Sequence, residues 1–459
     1  MTAQDRPAPA AQLSLPAVLS FALAYLPFAA LQLSVAVQLP RFFATSLGVG
    51  AAAGGIFGLV RLIDIPVDPA LGLMMDRTRT RFGRYRPWLL LAAPVIMLAV
   101  YMLYQAQLGV TRGYLMLWLL VLYLGMSLVL VGGNSWASTL ATSYKERSRI
   151  FGVMTGLGVL AAAMVLAIPI YTDSQAMSEA DGIRWIGWFL VGLAPVAIGV
   201  TVLSTRETVT ADAHGARFKL ADYAALLTRP DVLRLIAADF FVTLGPGWMS
   251  ALYLFFFEDS RGFSVTEANL LLAIYILAGL AGAPAAAWLA NRVSKHRALL
   301  INTTAYSLIL IILFVQPKGL FLPMAPTMFA AGAAAAGFTV LIRSMTADIG
   351  DEIRLEGGRQ LVGLLYALTS ATTKAATALA VTLTFGVLGA FEYKFAAGSV
   401  NGPEQIQALE LAYIVGPIIF VMIAGFCFLG FRLTAERHAE IRRELDVRDA
   451  ALAVSAETL

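Results

Sequence analysis

Residues 61–88 read RLIDIPVDPALGLMMDRTRTRFGRYRPW, and this stretch determines how the rest of the sequence is interpreted. An apolar run containing Asp64 and Asp68 ends at Arg77, and a loop rich in arginine follows directly. A charged side chain in hydrocarbon costs at least about 2.5–3.5 kcal/mol, so acids retained in an apolar run indicate function. Dense arginines just after such a run are typical of a short cytoplasmic loop. The stretch therefore predicts a transmembrane helix that carries a polar site and ends at the cytoplasmic surface.

The composition of the whole chain agrees with a membrane protein. Of its 459 residues, 59% are hydrophobic and only 14% are charged, whereas soluble globular proteins carry about 25% charged residues. Such a chain cannot cover its own surface with polar groups. The composition thus excludes a soluble enzyme, a disordered chain and a nucleic-acid binder. Basic cytoplasmic loops explain the net charge of +4 without a nucleic-acid partner.

Twelve apolar runs are long enough to cross the bilayer, since a spanning helix needs roughly 20 residues. A long polar stretch at residues 205–230 separates the sixth run from the seventh and is predicted to be a cytoplasmic central loop. We therefore predict an N-terminal six-helix bundle over residues 13–204 and a C-terminal six-helix bundle over residues 231–433. Residues 1–12 are predicted to be a disordered cytoplasmic N-terminus, and residues 434–459 a cytoplasmic tail. The runs lie near residues 13–38, 46–75, 87–108, 114–142, 148–171, 183–204, 231–257, 266–290, 298–316, 321–347, 360–389 and 408–433.

The distribution of charge in the loops orients the chain. Lys and Arg crowd the loops between spans 2 and 3, 4 and 5, and 8 and 9, which places both termini in the cytoplasm by the positive-inside rule. The two halves are also similar in sequence at corresponding span ends, with GLMMDR at 72–77 ending the second span and AWLANR at 287–292 ending the eighth. Two matching six-span halves are typical of the major facilitator fold. Within this motif, Gly72, Asp76 and Arg77 are predicted to be structural or gating residues.

Three charged residues inside apolar runs, Asp64, Asp68 and Lys374, suggest a coupling site. Asp64 and Asp68 are four residues apart, so on a continuous helix they would share one face. Arg61 can pair with Asp64 within the same helix and is predicted to be a structural or gating residue. Lys374 lies near the centre of the eleventh span with no acid in its own helix, so we expect a carboxylate from another helix, Asp64 or Asp68, to neutralise it. The alternative is an ion-pair cluster that only holds helices together.

Other charges in or near the spans are interpreted differently. Asp239, Asp348 and Glu258 lie near predicted span ends, where water can solvate them, and we expect them to be structural. Arg343 in the tenth span either anchors a solute or extends its guanidinium to the membrane surface.

The motif Arg-x-x-Asp-x-x-x-Asp-Pro-x-x-Gly, followed by an arginine-rich loop ending in Arg-Pro-Trp, resembles the glycoside–pentoside–hexuronide cation symporters of the major facilitator superfamily. SWASTLATSYKERSRIFG at 135–152, which contains Arg147 as a further structural or gating residue, is similar to the fourth span of that family and the loop after it. MTADIGDEIRLEGGRQLVGLLYAL at 345–368 is similar to the join of spans ten and eleven. The resemblance implies cation-coupled transport of a sugar, glycoside or uronide. It also implies that Asp64 and Asp68 are the cation-site carboxylates, with Lys374 as the neighbouring base.

The sequence departs from that family where the sugar is bound. The sugar-transporting relatives have an acid in span one and another in span four, whereas this chain has Leu26 and Pro27 in the first place and Gly132 in the second. The alternative solute is therefore a lysolipid or another amphiphile, carried on the same fold. The remaining polar or aromatic candidates for solute binding are Asn134, Trp136, Arg343, Tyr366, Trp248 and Tyr253.

No motif for enzymatic chemistry is present in the sequence. There is no GxxxxGK[ST] loop for ATP, and the three histidines are far apart, so we predict a transporter and not an enzyme. We expect no cofactor beyond a coupling ion, no metal site, no nucleic-acid partner, and a monomer in the plasma (inner) membrane. The predicted ion is a proton, with sodium as the alternative. In sodium-coupled relatives an amide and a hydroxyl supply extra oxygens where this chain has Val67 and Val129, although Ser127 or Asn134 could replace them.

Overall fold

The computed structural model confirms the predicted all-helical architecture. Eleven of its helices are long and apolar enough to cross a membrane, and the remaining apolar run forms two shorter helices. Among the described residues the only β-type pairing is an isolated bridge between Thr80 and Gly83. The structure describes residues 14–140, 144–205, 207, 225–357, 362–396, 398–431, 433, 436–441, 443–445 and 447–448. The predicted disordered N-terminus lies outside these residues.

The chain forms two compact units, which divide between Ala213 and His214, with residues 394–399 assigned to the first unit. The first unit contains span 1 (Leu15–Ala22 and Tyr25–Thr45), span 2 (Ala52–Asp64 and Val67–Arg77), span 3 (Arg86–Tyr104), span 4 (Arg112–Leu140), span 5 (Tyr144–Ser174) and span 6 (Glu179–Ser204).

The second unit contains the other six spans. They are span 7 (Pro230–Phe255, continued by a π-helical turn at Phe256–Ser260), span 8 (Val265–Val293), span 9 (Lys295–Val315), span 10 (Phe321–Gly357), span 11 (Val362–Ala390) and span 12 (Pro403–Phe426). Span 10 continues well beyond its predicted end at residue 347.

Span 2 is broken into two helices between the acids that were expected to share one face. Pro66 and Pro69 have no backbone N–H, so the carbonyls of Leu62 and Ile65 lose the donors that a continuous helix would provide. The Leu62 carbonyl accepts instead from the Ile65 N–H at 3.2 Å, in a tighter turn. The expectation of a continuous helix was therefore wrong. Asp64 ends the first helix, and Asp68 lies in the first turn of the second.

Span 1 is also interrupted, and a hydroxyl from span 6 fills the gap. The Ala24 N–H donates to Thr201 Oγ1 at 3.0 Å, while the Thr201 hydroxyl donates to the Ser20 carbonyl at 2.9 Å. In a regular helix Ala24 and Ser20 would bond directly. The inserted hydroxyl satisfies both backbone groups of the break, as their burial in an apolar environment requires.

Glycines allow spans 8 and 10 to cross closely in the second unit. A Cβ at Gly282 would overlap the backbone of Ala333, and a Cβ at Gly332 would overlap the backbone of Tyr275. Small residues at such crossings let helix backbones approach within a membrane, where van der Waals packing drives association.

A carboxylate after span 6 caps the start of span 3. Glu207 accepts from the backbone N–H groups of Arg84 at 2.8 Å, Tyr85 at 3.0 Å and Arg86 at 3.4 Å. These donors have no partner within the helix, and a negative charge there also interacts favourably with the helix dipole. Gly83 has a φ of 112°, and a Cβ there would overlap the Glu207 carboxylate. Glycine at this position therefore permits both the turn and the cap.

Candidate functional site

The first acid of span 2 is buried and both of its oxygens are hydrogen-bonded. Asp64 is 3% exposed. Its Oδ2 accepts from Arg61 Nη1 at 3.1 Å, and its Oδ1 accepts from the Ser127 hydroxyl at 3.1 Å. The Arg61 guanidinium also lies 4.9 Å from the centroid of the Tyr123 ring. The predicted pairing of Arg61 with Asp64 within one helix is thus present.

The sequence did not indicate that Tyr123 and Ser127 lie together beside Arg61 and Asp64. Tyr123 and Ser127 are four residues apart on span 4, so they lie on one helix face, and that face contacts the polar end of the first helix of span 2. The spacing is visible in the sequence. What the sequence could not show is which face of span 4 meets Arg61 and Asp64.

The second acid has a different environment. Asp68 is half-buried and lies in the first turn of a helix whose N-cap residue is Pro66. Backbone N–H groups are unpaired in the first turn of a helix, and the dipole there favours negative charge. The two acids therefore differ in burial and in the groups available to stabilise their charge.

Lys374 is the buried base of the second unit, at 4% exposure on span 11. Because Asp64 and Asp68 belong to the first unit, the expected neutralisation of Lys374 by one of them stays a prediction.

Asp239 does not fit the solvated position that the sequence suggested. It is 7% exposed, and its Oδ2 accepts from the Thr373 hydroxyl of span 11 at 3.2 Å. Asp348, assigned to the same group of acids, instead has a cation partner, because Lys295 Nζ lies 2.6 Å from its Oδ1. Both acids were expected to be solvated because they lie near predicted span ends. Position along a span gives no information about partners on other helices.

Three of the aromatic residues that were predicted to bind the solute make contacts between helices instead. Trp136 is fully buried, with its ring edge-to-face against Phe21 at 5.2 Å. The Trp248 indole N–H donates to the Ala412 carbonyl at 2.9 Å, and the Tyr253 hydroxyl donates to the Ala268 carbonyl at 2.9 Å. In this conformation these three rings stabilise helix contacts.

The other residues predicted to bind the solute are more exposed than these three aromatic residues. Arg343 is exposed, Tyr366 is 41% exposed, and Asn134 is half-buried. The Tyr366 hydroxyl donates to the Arg343 carbonyl at 3.3 Å, which brings the side chain of span 11 next to span 10.

The neighbourhood of Gly132 has no room for the acid that the sugar-transporting relatives carry. A Cβ on Gly132 would lie 2.6 Å from Leu89 Cδ1. A small cavity nearby, with about 240 Å³ of empty space, is lined mainly by apolar groups, among them Tyr25, Val129 and Met154. Whole ligands usually occupy about 300–1,000 Å³, so this cavity is too small to hold a complete solute in this conformation.

The predicted structural or gating residues lie on three helices: Arg61 on the first helix of span 2, Gly72, Asp76 and Arg77 on its second helix, and Arg147 on span 5. Gly72 faces Val131 at an ordinary van der Waals distance, since a Cβ would lie 3.8 Å from its side chain. Arg77 is exposed. The side chains of Asp76 and Arg147 lie outside the described part of the chain, so the gating assignments stay predictions.

The helical architecture is that of the major facilitator fold. The same fold is found in the crystal structure of the nucleoside transporter NupG, which superimposes with a TM-score of 0.65 at 12% identity and covers 91% of this chain and 99% of its own. Residues 20–435 match the family model described as MFS/sugar transport protein. The chain therefore belongs to that family of membrane transporters and is not an enzyme, and the symporter resemblance predicted from the span-two motif is confirmed.

Individual relatives have similar lengths and low identity. The isoprimeverose transporter of Lactiplantibacillus pentosus is 25% identical, covering 87% of this chain and 85% of its own. The glucuronide carrier protein homolog of Escherichia coli (strain K12) is 25% identical, covering 90% and 91%. A sodium-dependent lysophosphatidylcholine symporter 1-B of Danio rerio is 21% identical, covering 84% and 80%. Relatives of this chain thus include symporters for sugars and for a lysolipid.

Proposed function

We propose that this protein is a proton-coupled symporter for a sugar, glycoside or uronide, working as a monomer in the plasma (inner) membrane with both termini cytoplasmic. The observation that carries the proposal is the buried Arg61–Asp64–Ser127 cluster within span 2 and span 4 of a chain in a sugar-transporter family. Transporters of this fold work by alternating access, and a carboxylate that loads and unloads a cation can couple that movement to an ion gradient.

The two acids of span 2 have separate tasks in this proposal. Both oxygens of Asp64 are already hydrogen-bonded to a guanidinium and a hydroxyl, so Asp64 acts as a fixed negative charge. Asp68 is less buried and lies beside it, so it is the acid that binds and releases the coupling cation. A proton on Asp68 removes the repulsion between two neighbouring carboxylates. Lys374 completes the coupling set as the buried base of span 11.

A proton is favoured over sodium because oxygen ligands are few around these acids. A bare metal cation must replace its water with several oxygens, as the six to eight ligands of calcium illustrate. Val67 and Val129 offer none, and the Ser127 hydroxyl already donates to Asp64. The main candidate for an additional oxygen is the Ile65 carbonyl, whose helical donor is removed by Pro69.

Purified protein in proteoliposomes tests coupling directly. Uptake of radiolabelled methyl glucoside, methyl galactoside, methyl glucuronide and isoprimeverose is measured with an imposed pH gradient, and separately with sodium replaced by choline at fixed pH. We expect accumulation of at least one compound that follows the pH gradient. Accumulation that requires sodium and ignores the pH gradient would refute proton coupling, and failure of all four compounds would refute the solute class.

Three variants separate the roles of the acids. Asp68→Asn should abolish accumulation while counterflow exchange of the same solute continues, because a neutral amide cannot carry the cation. Asp64→Asn should impair both, since it removes the fixed charge. Asp181→Asn is the matched control, because this acid caps span 6 and pairs with Arg184 at an exposed position. Full accumulation in both span-two variants would leave only a structural role for the acid pair.

A second candidate solute is a lysolipid. It is favoured by the lysophosphatidylcholine symporter among the relatives and by the apolar lining of the cavity beside Gly132. Adding lysophosphatidylcholine to the same proteoliposome assay, below the concentration that disrupts the vesicles, distinguishes the two solute classes. Coupled uptake of the lysolipid with no uptake of the four sugars would replace the sugar assignment.

A further inference from the structure

Span 7 carries a buried acid outside the coupling set described above. Asp239 is 7% exposed and lies about 14 Å along the axis of the helix that begins at Pro230. An acid at that depth of a spanning helix is costly unless it is paired, and acids retained there usually have a function.

The contacts of Asp239 leave its charge poorly compensated. Its one hydrogen bond comes from the Thr373 hydroxyl at 3.2 Å, and among the described residues no Lys or Arg nitrogen is within ion-pair distance of it. An isolated carboxylate in a low-dielectric environment gives up its charge by taking a proton. Asp64, which is also buried, differs in having a guanidinium in contact.

The other charged groups considered for Asp239 lie on spans 10 and 11, which pack against span 7, and on span 7 itself. Arg343 of span 10 acts on the carboxyl electrostatically without touching it. Lys374 directly follows Thr373 on span 11 and is buried. Arg234 lies on span 7 itself, near Cys427 at the end of span 12. A movement that brings one of these cations into contact with Asp239 would favour release of the proton, because an opposite charge nearby favours the ionised form.

We propose that Asp239 is a proton-binding site of the second unit, which takes a proton from water and returns it to water during the transport cycle. The proton forms an O–H bond on the carboxyl oxygen that does not accept from Thr373, and no other bond changes. A metal cation is disfavoured, because no group of three or more His, Cys, Asp or Glu side chains that could hold one occurs among the described residues. The site is separate from the acid pair of span 2 and does not depend on the identity of the solute.

The proton itself can be detected without any solute. Infrared difference spectra of the purified protein across a pH titration resolve the carbonyl stretch of a protonated carboxyl group. We expect such a band in the wild type and its loss in Asp239→Asn. Thr373→Val should shift the frequency of the band, because it removes the hydrogen bond to the carboxyl. Asp348→Asn is the matched control and should leave the band unchanged, since that acid has a lysine partner, Lys295, in contact.

Charge movement tests whether the proton is carried. Proteoliposomes on a solid-supported membrane are given a pH jump without solute, and the transient current is recorded. Asp239→Asn should lose part of the charge displaced by the wild type, and Thr373→Val should shift its pH midpoint. Absence of the infrared band at every pH, or a displaced charge unchanged in both variants, would overturn the proposal. Both measurements remain informative even if no glycoside is transported, so they fail independently of the proposed solute class.

Discussion

The ion pair of span 2 predicts an unequal response to removing its two partners. Asp64 is almost completely buried, with 3% of its side chain exposed, whereas 20% of the Arg61 side chain is exposed. Removing Arg61 leaves a buried carboxylate without the guanidinium in contact with it, while the Ser127 hydroxyl still donates to it. Removing Asp64 leaves a cation that can turn towards water and that already lies over the Tyr123 ring. The loss of Arg61 should therefore be the more damaging change.

The magnitudes follow from this difference in burial. Removing one partner of a buried ion pair lowers the free energy of unfolding by about 3–5 kcal/mol. Arg61→Gln should destabilise the protein by about 3 kcal/mol, at the lower end of that range, because Ser127 still donates to Asp64. Asp64→Asn should cost only about 1 kcal/mol, since cation–π contact and exposure of the arginine recover part of the loss. The double variant should be close to Asp64→Asn alone, which gives a coupling energy of about 3 kcal/mol.

Thermal unfolding in detergent, followed by size-exclusion chromatography of the surviving protein, measures these differences. For a unit of this size about 1 kcal/mol corresponds to 2–4 °C, so Arg61→Gln should lower the melting temperature by about 6–12 °C. The double variant should regain most of that loss. If Asp64→Asn proved the more destabilising change, or if the two effects simply added, the pair would not be coupled as described.

Three further changes test the packing that holds the sites. Glu207→Ala should lower the melting temperature by about 1–8 °C, since an N-terminal cap contributes about 0.5–2 kcal/mol, while Glu207→Gln should lose less. Thr201→Val should destabilise by about 1–2 kcal/mol in unfolding experiments, because it leaves two buried backbone groups of span 1 unsatisfied, whereas Thr201→Ser should be close to wild type. Gly332→Val should abolish the folded second unit in expression and thermal assays, because the side chain would overlap the backbone of Tyr275. A tolerated valine would mean that spans 8 and 10 do not cross there.

The sequence was sufficient for features that depend on local pattern. Runs of apolar residues predicted the spans, and the spacing of Arg61 and Asp64 predicted their ion pair. The break in span 2 could also have been foreseen, because two prolines three residues apart remove two helical hydrogen bonds within about one turn. The four-residue spacing of Asp64 and Asp68 indicates a shared face only where the helix is continuous, and Pro66 lies between them.

Features that depend on distant parts of the chain could not be predicted in this way. Glu207 reaches the start of span 3 from more than a hundred residues away, and no periodicity indicates that contact. Asp239 was judged by its position along a predicted span, whereas its environment is set by Thr373 on a different helix. Burial of a polar group within a membrane depends on which helix faces meet, and apolar spans give weak information about their orientation.

The break in span 2 also explains how two acids so close in sequence can have different tasks. On a continuous helix Asp64 and Asp68 would lie one turn apart with similar surroundings. The turn at Ile65 and Pro66 instead leaves Asp64 at the end of one helix, where the carbonyl end of the dipole disfavours a negative charge and a guanidinium in contact is needed to compensate it. It leaves Asp68 at the start of the next helix, where backbone N–H groups and the dipole support a negative charge. The two acids therefore have opposite helix-end environments and different burial, although only four residues separate them. This difference supports the proposal that Asp64 acts as a fixed charge and that Asp68 binds and releases the coupling cation.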